Sequence, residues 1–594
     1  MKRITNKIIS FSLITTFLVG GISGCGTSEE KGHTDNINEN TSIEQDVLTK
    51  DGNLPIEDNK GWYANWDSNE VVTMYLTVRE GNEDDGTNHT WDEINAYSAY
   101  YYEDMGIDRY KVEGLLQVGD ENGPVIGELG YGQHAPNSIV QIRGQTSTQR
   151  AQKNYRISIR DGKGDWEGMT TINLNKHQND YLRFNNMLAY NLMQDVDGMM
   201  SARTKFVHLY VKDQTGSGMS DTFVDYGLYT FVEQINKTYL RNHGLDRNGH
   251  LYKINFFEFY PYEDVIMLKS DADYDVTEFE KYIEIKGNDD HSKLIQMLQE
   301  LNDYTIPIEE VFAKWFDEEN YFSWLAFHIL MGNKDTQSRN FFLYSPSNVN
   351  KFYFISWDND GSLMTNYTEL KGYKQGLEYE EGITNYWGSV LHRRVFQSEL
   401  YREKLDEKIN EIRNILTKEK IETLGAQYAA TIRPYLYRLP DINYALLTQS
   451  EYNAAVNDIY HNVEVNYSRY QDSLKKSMPF FLGTPYVEDG ALCFNWDASF
   501  DLDQETVRYK FELSKGYTFR NVMYAKEDML ETNVSIAMLP PGQYFYRVTA
   551  TNESGYTQTA FDYYNSDRGK EYGMVCFWIM EDGSIVLDTY VEGE

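Results

Sequence analysis

The sequence predicts an α+β domain followed by an all-β sandwich, and three patterns in its 594 residues carry that expectation. Residues 309–331 (EEVFAKWFDEENYFSWLAFHILM) place apolar side chains at helical intervals and stop at Gly332-Asn333. The runs FFLYSP and KFYFISW that follow, separated by Ser-Asn-Val-Asn, read as a β-hairpin. Residues 387–477 read as successive helices, in which Val395, Phe396, Leu400, Tyr401, Leu405, Ile409, Ile412 and Leu416 form a core stripe. Beyond Met478-Pro479 the period drops to two, in LCFNWDASF, VRYKFELS and GQYFYRVTATN. A chain of this length exceeds what one core organises, so two folded domains are expected, 59–477 and 478–594.

Taken from the start, Met1-Lys2-Arg3 and Lys7 give a basic opening, Ile8 to Gly21 an apolar stretch, and Ile22-Ser23-Gly24-Cys25 a close of small residues before a cysteine. This resembles a bacterial lipoprotein signal with its lipobox, over residues 1–25. The apolar stretch is short for a membrane span, and the resemblance implies that Cys25 carries a lipid. Residues 26–58 are polar and acidic with few apolar side chains, the composition of an unfolded tether. The expectation is an extracytoplasmic protein held to the bacterial membrane through lipid at Cys25.

Composition narrows the class further. With 91 acidic against 55 basic residues and a net charge of −36, nucleic-acid binding through a basic face is excluded as a leading function. The acidity fits general solubility outside the cell, and carboxylates near a cleft would also favour Lys- or Arg-rich substrate segments. Only three cysteines occur, so no disulfide framework exists; Cys493 and Cys576 fall on expected strands, as a disulfide or as two buried thiols. Eleven histidines without an H-x-x-x-H cluster give zinc chemistry no support.

The chemistry concentrates in one segment. Asp335 is followed five residues later by Asn340 and, after the hairpin, by Asp358 in Trp357-Asp358-Asn359-Asp360. Phosphoryl transfer needs a carboxylate to accept the proton of the attacking hydroxyl, and an Asn and a second carboxylate to hold the metal ions on the nucleotide phosphates. Helix, polar loop, hairpin and Asp358 keep the order in which protein kinases present these groups.

Three upstream segments join this pattern. Val140-Gln-Ile-Arg-Gly-Gln-Thr-Ser147 continues to Lys153, Tyr226-Gly-Leu-Tyr-Thr-Phe-Val-Glu233 ends an apolar run, and Gly249-His-Leu-Tyr-Lys253 follows. With HILMGNKDTQSRNFFLY and FYFISWDND, these resemble the spore-coat protein H (CotH) kinase family over roughly residues 60–475. The resemblance implies an atypical protein-kinase-like domain that uses ATP with Mg²⁺ or Mn²⁺ to phosphorylate Ser or Thr on a surface or coat protein. In that scheme Asp335 is the catalytic base, and Asn340 and Asp358 bind metal, with Asp360 a further metal carboxylate. Lys153, paired with Glu233, holds phosphates; Lys253 is a rival for that role, and Arg339 contacts phosphate. His-Arg-Asp of protein kinases is here Asn333-Lys334-Asp335, and Thr336-Gln337 stands where the family often has a basic or aromatic residue.

The C-terminal pattern, with Trp496-Asp497 early and Leu539-Pro-Pro-Gly-Gln-Tyr-Phe-Tyr-Arg-Val548 before a late strand, resembles a fibronectin type III or related immunoglobulin-like sandwich. Such a module serves as spacer or docking surface, including for cell-wall polysaccharide. Two other functions compete with the kinase: a non-catalytic adhesin on a kinase-like scaffold, and a nucleotide-binding pseudoenzyme.

Overall fold

The computed structural model describes residues 56–364, 381–566 and 569–588. Cys25 and the expected tether up to residue 55 lie outside these residues. The end of the tether does not: Asp58 is buried and bonded into the folded body, so the ordered domain begins before residue 59.

The N-terminal part is a β-structure whose strands are β1 (Val71–Arg79), β2 (Val112–Asp120), β3 (Gly123–Pro124), β4 (Ser138–Arg143), β5 (Asn154–Ile159), β6 (Thr171–Asn175), β7 (Thr204–Asp213) and β8 (Val224–Glu233). They are ordered β1-β7-β8-β6-β5-β4-β2-β3, and β1 also pairs with β2 from Thr73↔Gly119 to Arg79↔Glu113. All but β3 therefore close into a barrel, which leaves no open edge. Alternation along the strands sends Val140, Ile142, Tyr155, Ile157, Ile172 and Leu174 into the barrel core, where Trp91 stacks on Tyr155 at 4.9 Å. The same alternation puts Gln141, Arg143, Asn154, Arg156, Asn173 and Asn175 on the opposite face.

A second sheet, in the order β10-β9-β11-β12, carries β9 (His250–Ile254), β10 (Ile283–Ile285), β11 (Phe341–Ser345) and β12 (Tyr353–Ser356). The last two are the hairpin expected from the sequence. The single helix expected over 309–331 is two, Ile308–Trp315 and Glu318–Met331. Phe316 is extended and bridges Phe352, and the Asp317 side chain accepts from the Asn320 amide at 3.0 Å, starting the second helix afresh. Gly332 ends it in the left-handed region, at φ 65°.

Residues 390–473 form five helices, Val390–Gln397, Glu399–Ile415, Lys418–Leu436, Gln449–Asn457 and His461–Ser473. The expected stripe is buried except for Leu400, which is 48% exposed because Ser398 separates two helices in the middle of the run. Asp441, between two of these helices, ties the lobe to the barrel. Its carboxylate bonds to buried Lys176 at 2.7 Å, to Gln152 Nε2 at 2.7 Å and to the Leu228 amide at 2.8 Å. Gly227, at φ 76°, makes room for it: a Cβ there would lie 2.1 Å from Asp441 Oδ2.

The C-terminal region has one sheet of Tyr486–Glu488, Ala491–Asn495 and Asn533–Ala537 and a larger one built on Arg508–Ser514, Gly542–Thr551 and Met574–Ile579. Phe494, Trp496, Phe511, Tyr546 and Phe577 pack between them. Cys493 and Cys576 are free, buried thiols on strands of different sheets. This region rests on the helical lobe: Phe500 stacks on Trp387 with ring centres 6.0 Å apart, Arg402 donates to the Leu502 carbonyl at 3.2 Å, and Met478, Leu502 and Phe561 share the lobe's core.

Candidate active site

Past Gly332 the chain makes a tight turn, Lys334–Thr336, that presents Asp335 with its side chain about half exposed (52%). Both flanks of the turn are held by the segment Gly382–Tyr386. Asn385 Nδ2 donates to the Lys334 carbonyl at 3.0 Å, and the Tyr386 hydroxyl bonds to Thr336 Oγ1 at 2.8 Å. The next residue, Trp387, is the one that meets Phe500.

The hairpin brings the other two residues of the motif together. The Trp357 amide donates to the Asn340 carbonyl at 3.1 Å, one step beyond the Phe341↔Ser356 pair, so Asn340 stands opposite Trp357 at the hairpin's open end, with Asp358 the next residue along. Both are in the left-handed region, at φ 60° and 56°, as is His177 at 44°. Non-glycine residues persist there only where their surroundings hold them, and such strain gathers at functional sites.

Asp358 lies at the floor of the cleft between barrel and helical lobe. Although Asp358 keeps surface open to the cleft, loss of solvent around its carboxyl and then the neighbouring Asp360 push it above the usual carboxylate range; Asp335 adds to the push, and His177 and Arg143 oppose it. A hydrogen-bonded chain fixes these groups: the Asn359 amide donates to Asn186 Oδ1 (3.0 Å), Asn186 Nδ2 meets His177 Nε2 (3.1 Å), and His177 Nδ1 faces Asp360 Oδ2 (3.4 Å). The Arg143 guanidinium comes down from β4, bonds to Asn175 and packs 5.6 Å over the Trp357 ring. Burial lowers its pKa to about 10, so it stays cationic at neutral pH.

The oxygen donors that Asp358, Asp360 and Asn340 would supply fit a hard divalent cation such as Mg²⁺ or Mn²⁺. Among the described residues no three His, Cys, Asp or Glu gather into a cage. Magnesium sites commonly have one or two carboxylates and complete their shell with water and substrate phosphate. The enclosed part of the cleft, about 90 Å³, is lined by Arg143, Ser147, Arg150, Asn175, His177 and Asp358 among others. That space suits phosphate groups, and the remainder of a nucleotide would lie in the open cleft.

The structure corrects the expected cation assignments. Lys153 does not pair with Glu233; its amine donates to the Thr148 carbonyl at 2.6 Å, just ahead of β5. Glu233 ends β8 one residue after Val232, which lines the cleft, so strand alternation turns Glu233 the other way. There it accepts from the Arg203 amide (3.0 Å), Trp62 Nε1 (3.2 Å) and His243 (3.3 Å), and His243 bonds to Asp58 at 2.5 Å. Lys253 pairs with Glu284 at 2.6 Å on the neighbouring strand and is not among the residues lining the cleft around Asp358. Arg339 bonds to Asp335 at 2.6 Å.

Sequence reasoning missed Arg143, His177 and Asn186. Arg143 sat inside a quoted motif whose lysine drew attention instead. The other two lie in KHQNDYLRFNN, a run unusually rich in amide and charged side chains for a strand-to-helix connection, and that density was the available signal.

Comparison with known proteins agrees with the motif. No curated protein matches the chain. Among solved structures, the Twitchin kinase region from C. elegans is similar at 19% identity over 16% of this chain and 19% of that one, with a TM-score of 0.11, too low to carry an argument. The model of the family described as CotH kinase protein matches residues 140–469, more than half of the chain and the whole of the site from Arg143 to Tyr386, and the chain therefore belongs to that family.

Proposed function

We propose that the protein is an extracytoplasmic kinase, lipid-anchored at Cys25, that transfers the γ-phosphoryl group of ATP to Ser or Thr hydroxyls of a surface or coat protein. The observation that carries this reading is the surroundings of Asp358: Asp335 acts electrostatically on its carboxyl, the Asn340 carbonyl accepts from the amide of the preceding Trp357, and Asn340 and Asp358 both hold left-handed backbone conformations. Asp335 orients the acceptor hydroxyl and takes its proton as the oxygen bonds to the γ-phosphorus and the bridging oxygen to the β-phosphorus departs. Asn340, Asp358 and Asp360 would hold Mg²⁺ or Mn²⁺, which supplies charge neutralisation to the phosphates when bound. Arg143, beside Asp358, takes the phosphate-facing role that the motif had suggested for Lys153. His177 and Asn186 position the loop Asp358–Asp360. The C-terminal sheets, of fibronectin type III or immunoglobulin-like kind, serve as a docking module.

The test is incubation of the full chain with terminally labelled ATP and either metal, beside Asp335→Ala and Asp358→Ala. Label transferred to the protein or to a basic acceptor by the parent, and reduced about a hundredfold or more in both variants, is the expected result. Absence of transfer together with absence of nucleotide binding would leave a surface binding protein as the better reading.

A further inference from the structure

The roof of the cleft is not built like a nucleobase slot. Ligand pockets for flat organic groups are mostly apolar with a few placed polar groups. Here β4, β5 and β6 turn Gln141, Arg143, Asn154, Arg156, Asn173 and Asn175 to the face whose members Arg143, Asn154 and Asn175 line the cleft. Arg156 is paired across the strands with Gln141 and Asn173, so it lies one rung beyond Asn154 on that face. Arg143 and Arg156 are diagonal neighbours, about 7–8 Å apart at the backbone by strand geometry and within reach of one anion chain.

Arg156 is half-buried, yet among the described residues it makes no ion pair, and its buried Nε–H has no hydrogen-bond partner. A guanidinium has five donors and is costly to hold out of water without acceptors. Two other arginines repel it or share its field: Arg143 stands beside it, and Arg109 donates to the Gly144 carbonyl at 2.8 Å on the same side of the cleft. The carboxylate acting on Arg156 is Glu284 of β10, and that group is already bonded to Lys253 (2.6 Å) and Lys286 (2.7 Å). From Arg143 towards β10 the cleft is thus a surplus of fixed positive charge.

We infer that Arg143 and Arg156, with Arg109 behind them, form a seat for a chain of phosphate groups running from Asp358 along the roof, so that the cleft takes an inorganic oligophosphate as well as the tail of a nucleotide. The inference rests on the kinase reading for the end of the chain at Asp358, and Arg156 extends it to a subsite that reading does not need. Arginine forks suit such a ligand because each can give two parallel hydrogen bonds to phosphate oxygens. A linear phosphate chain also needs no apolar slot.

The deciding experiment is calorimetric titration of the full chain with sodium tripolyphosphate, and separately with ATP, in the presence of Mg²⁺, for the parent, Arg156→Gln and Arg156→Lys. Tripolyphosphate binds the parent, Arg156→Gln weakens it by about tenfold or more, and Arg156→Lys recovers part of the loss, as expected for losing a charged hydrogen bond. The ligand-free melting temperature of Arg156→Gln stays within error of the parent's, because no ion pair or hydrogen bond among the described residues is lost; a structural role would lower it. ATP binding that falls by the same factor places the nucleotide's tail in the seat, whereas a loss confined to tripolyphosphate reserves it for the inorganic chain. Equal tripolyphosphate affinity in parent and Arg156→Gln overturns the seat. Phosphate transfer from ATP with no tripolyphosphate binding overturns the seat and leaves the kinase; Arg156-dependent tripolyphosphate binding without transfer does the reverse.

Discussion

Two kinds of charge cluster occur in this chain, and they are built on opposite plans. In the closed kind every group is answered. Lys176 has Asp441, the Tyr226 carbonyl and the Tyr229 ring, while His243 is held between Asp58 and Glu233. In the open kind, Asp358 is pushed by the like charge of Asp360, and the buried Nε–H of Arg156 has no hydrogen-bond partner among the described residues. Closed clusters bind elements together, and open ones wait for a ligand. The residue types are the same in both, so the difference lies in whether partners are supplied from within the chain.

The comparison breaks most sharply at Asp441 and Asp358. Asp441→Ala strands Lys176 in the interior, and removing one member of a buried pair costs about 3–5 kcal/mol. Chemical denaturation should show that loss, while Asp358→Asn, which removes one of two repelling carboxylates, leaves stability unchanged or raised even as phosphate transfer disappears. Loss of stability in both variants would mean that the cleft carboxylates are structural.

A second contrast is with pH. The two carboxylates raise the pKa of His243 to about 9 against the opposing effect of burial. Its folded value lies above the unfolded one, so this contribution is complete below about 6.5 and is lost as pH rises towards 9. Lys176, lowered to about 8 chiefly by burial, changes stability in the other direction and only above that pH. Melting temperatures between pH 6.5 and 8 should therefore fall with pH in the parent and lose that slope in His243→Gln.

The smallest effect belongs to Arg339. Its ion pair with Asp335 is a third to a half exposed, and exposed pairs are worth about 0–1 kcal/mol. Arg339→Gln should leave the melting temperature within error, and its consequence appears in kcat for phosphate transfer.

What could be read from the sequence was local. The helix that stops at Gly332, the polar turn with Asp335, the hairpin and Asp358 follow one another within a few dozen residues, and each carries its own turn or cap signal. The sequence-distant half of the site was not legible. Whether Val232 or Glu233 enters the cleft depends on the face of one strand, and whether Lys153 or Arg143 meets Asp358 depends on where β5 begins. The barrel itself closes only because β1 pairs with both β2 and β7, a contact that no local pattern announces. The two-helix break at Phe316 was visible in Asp317 followed by two glutamates, a start signal that the apolar rhythm overrode.

The stacking of Phe500 on Trp387 has a practical side. Family resemblance ends at residue 469, and a protein cut soon after it would contain every residue of the site. Such a cut would also unroof Trp387, now 6% exposed, together with the lobe surface under Met478, Leu502 and Phe561. A fresh aromatic and aliphatic face of that kind drives self-association. Poor solubility of a shortened protein would then report a lost neighbour, and the unit that folds is larger at both ends than the unit that is recognised.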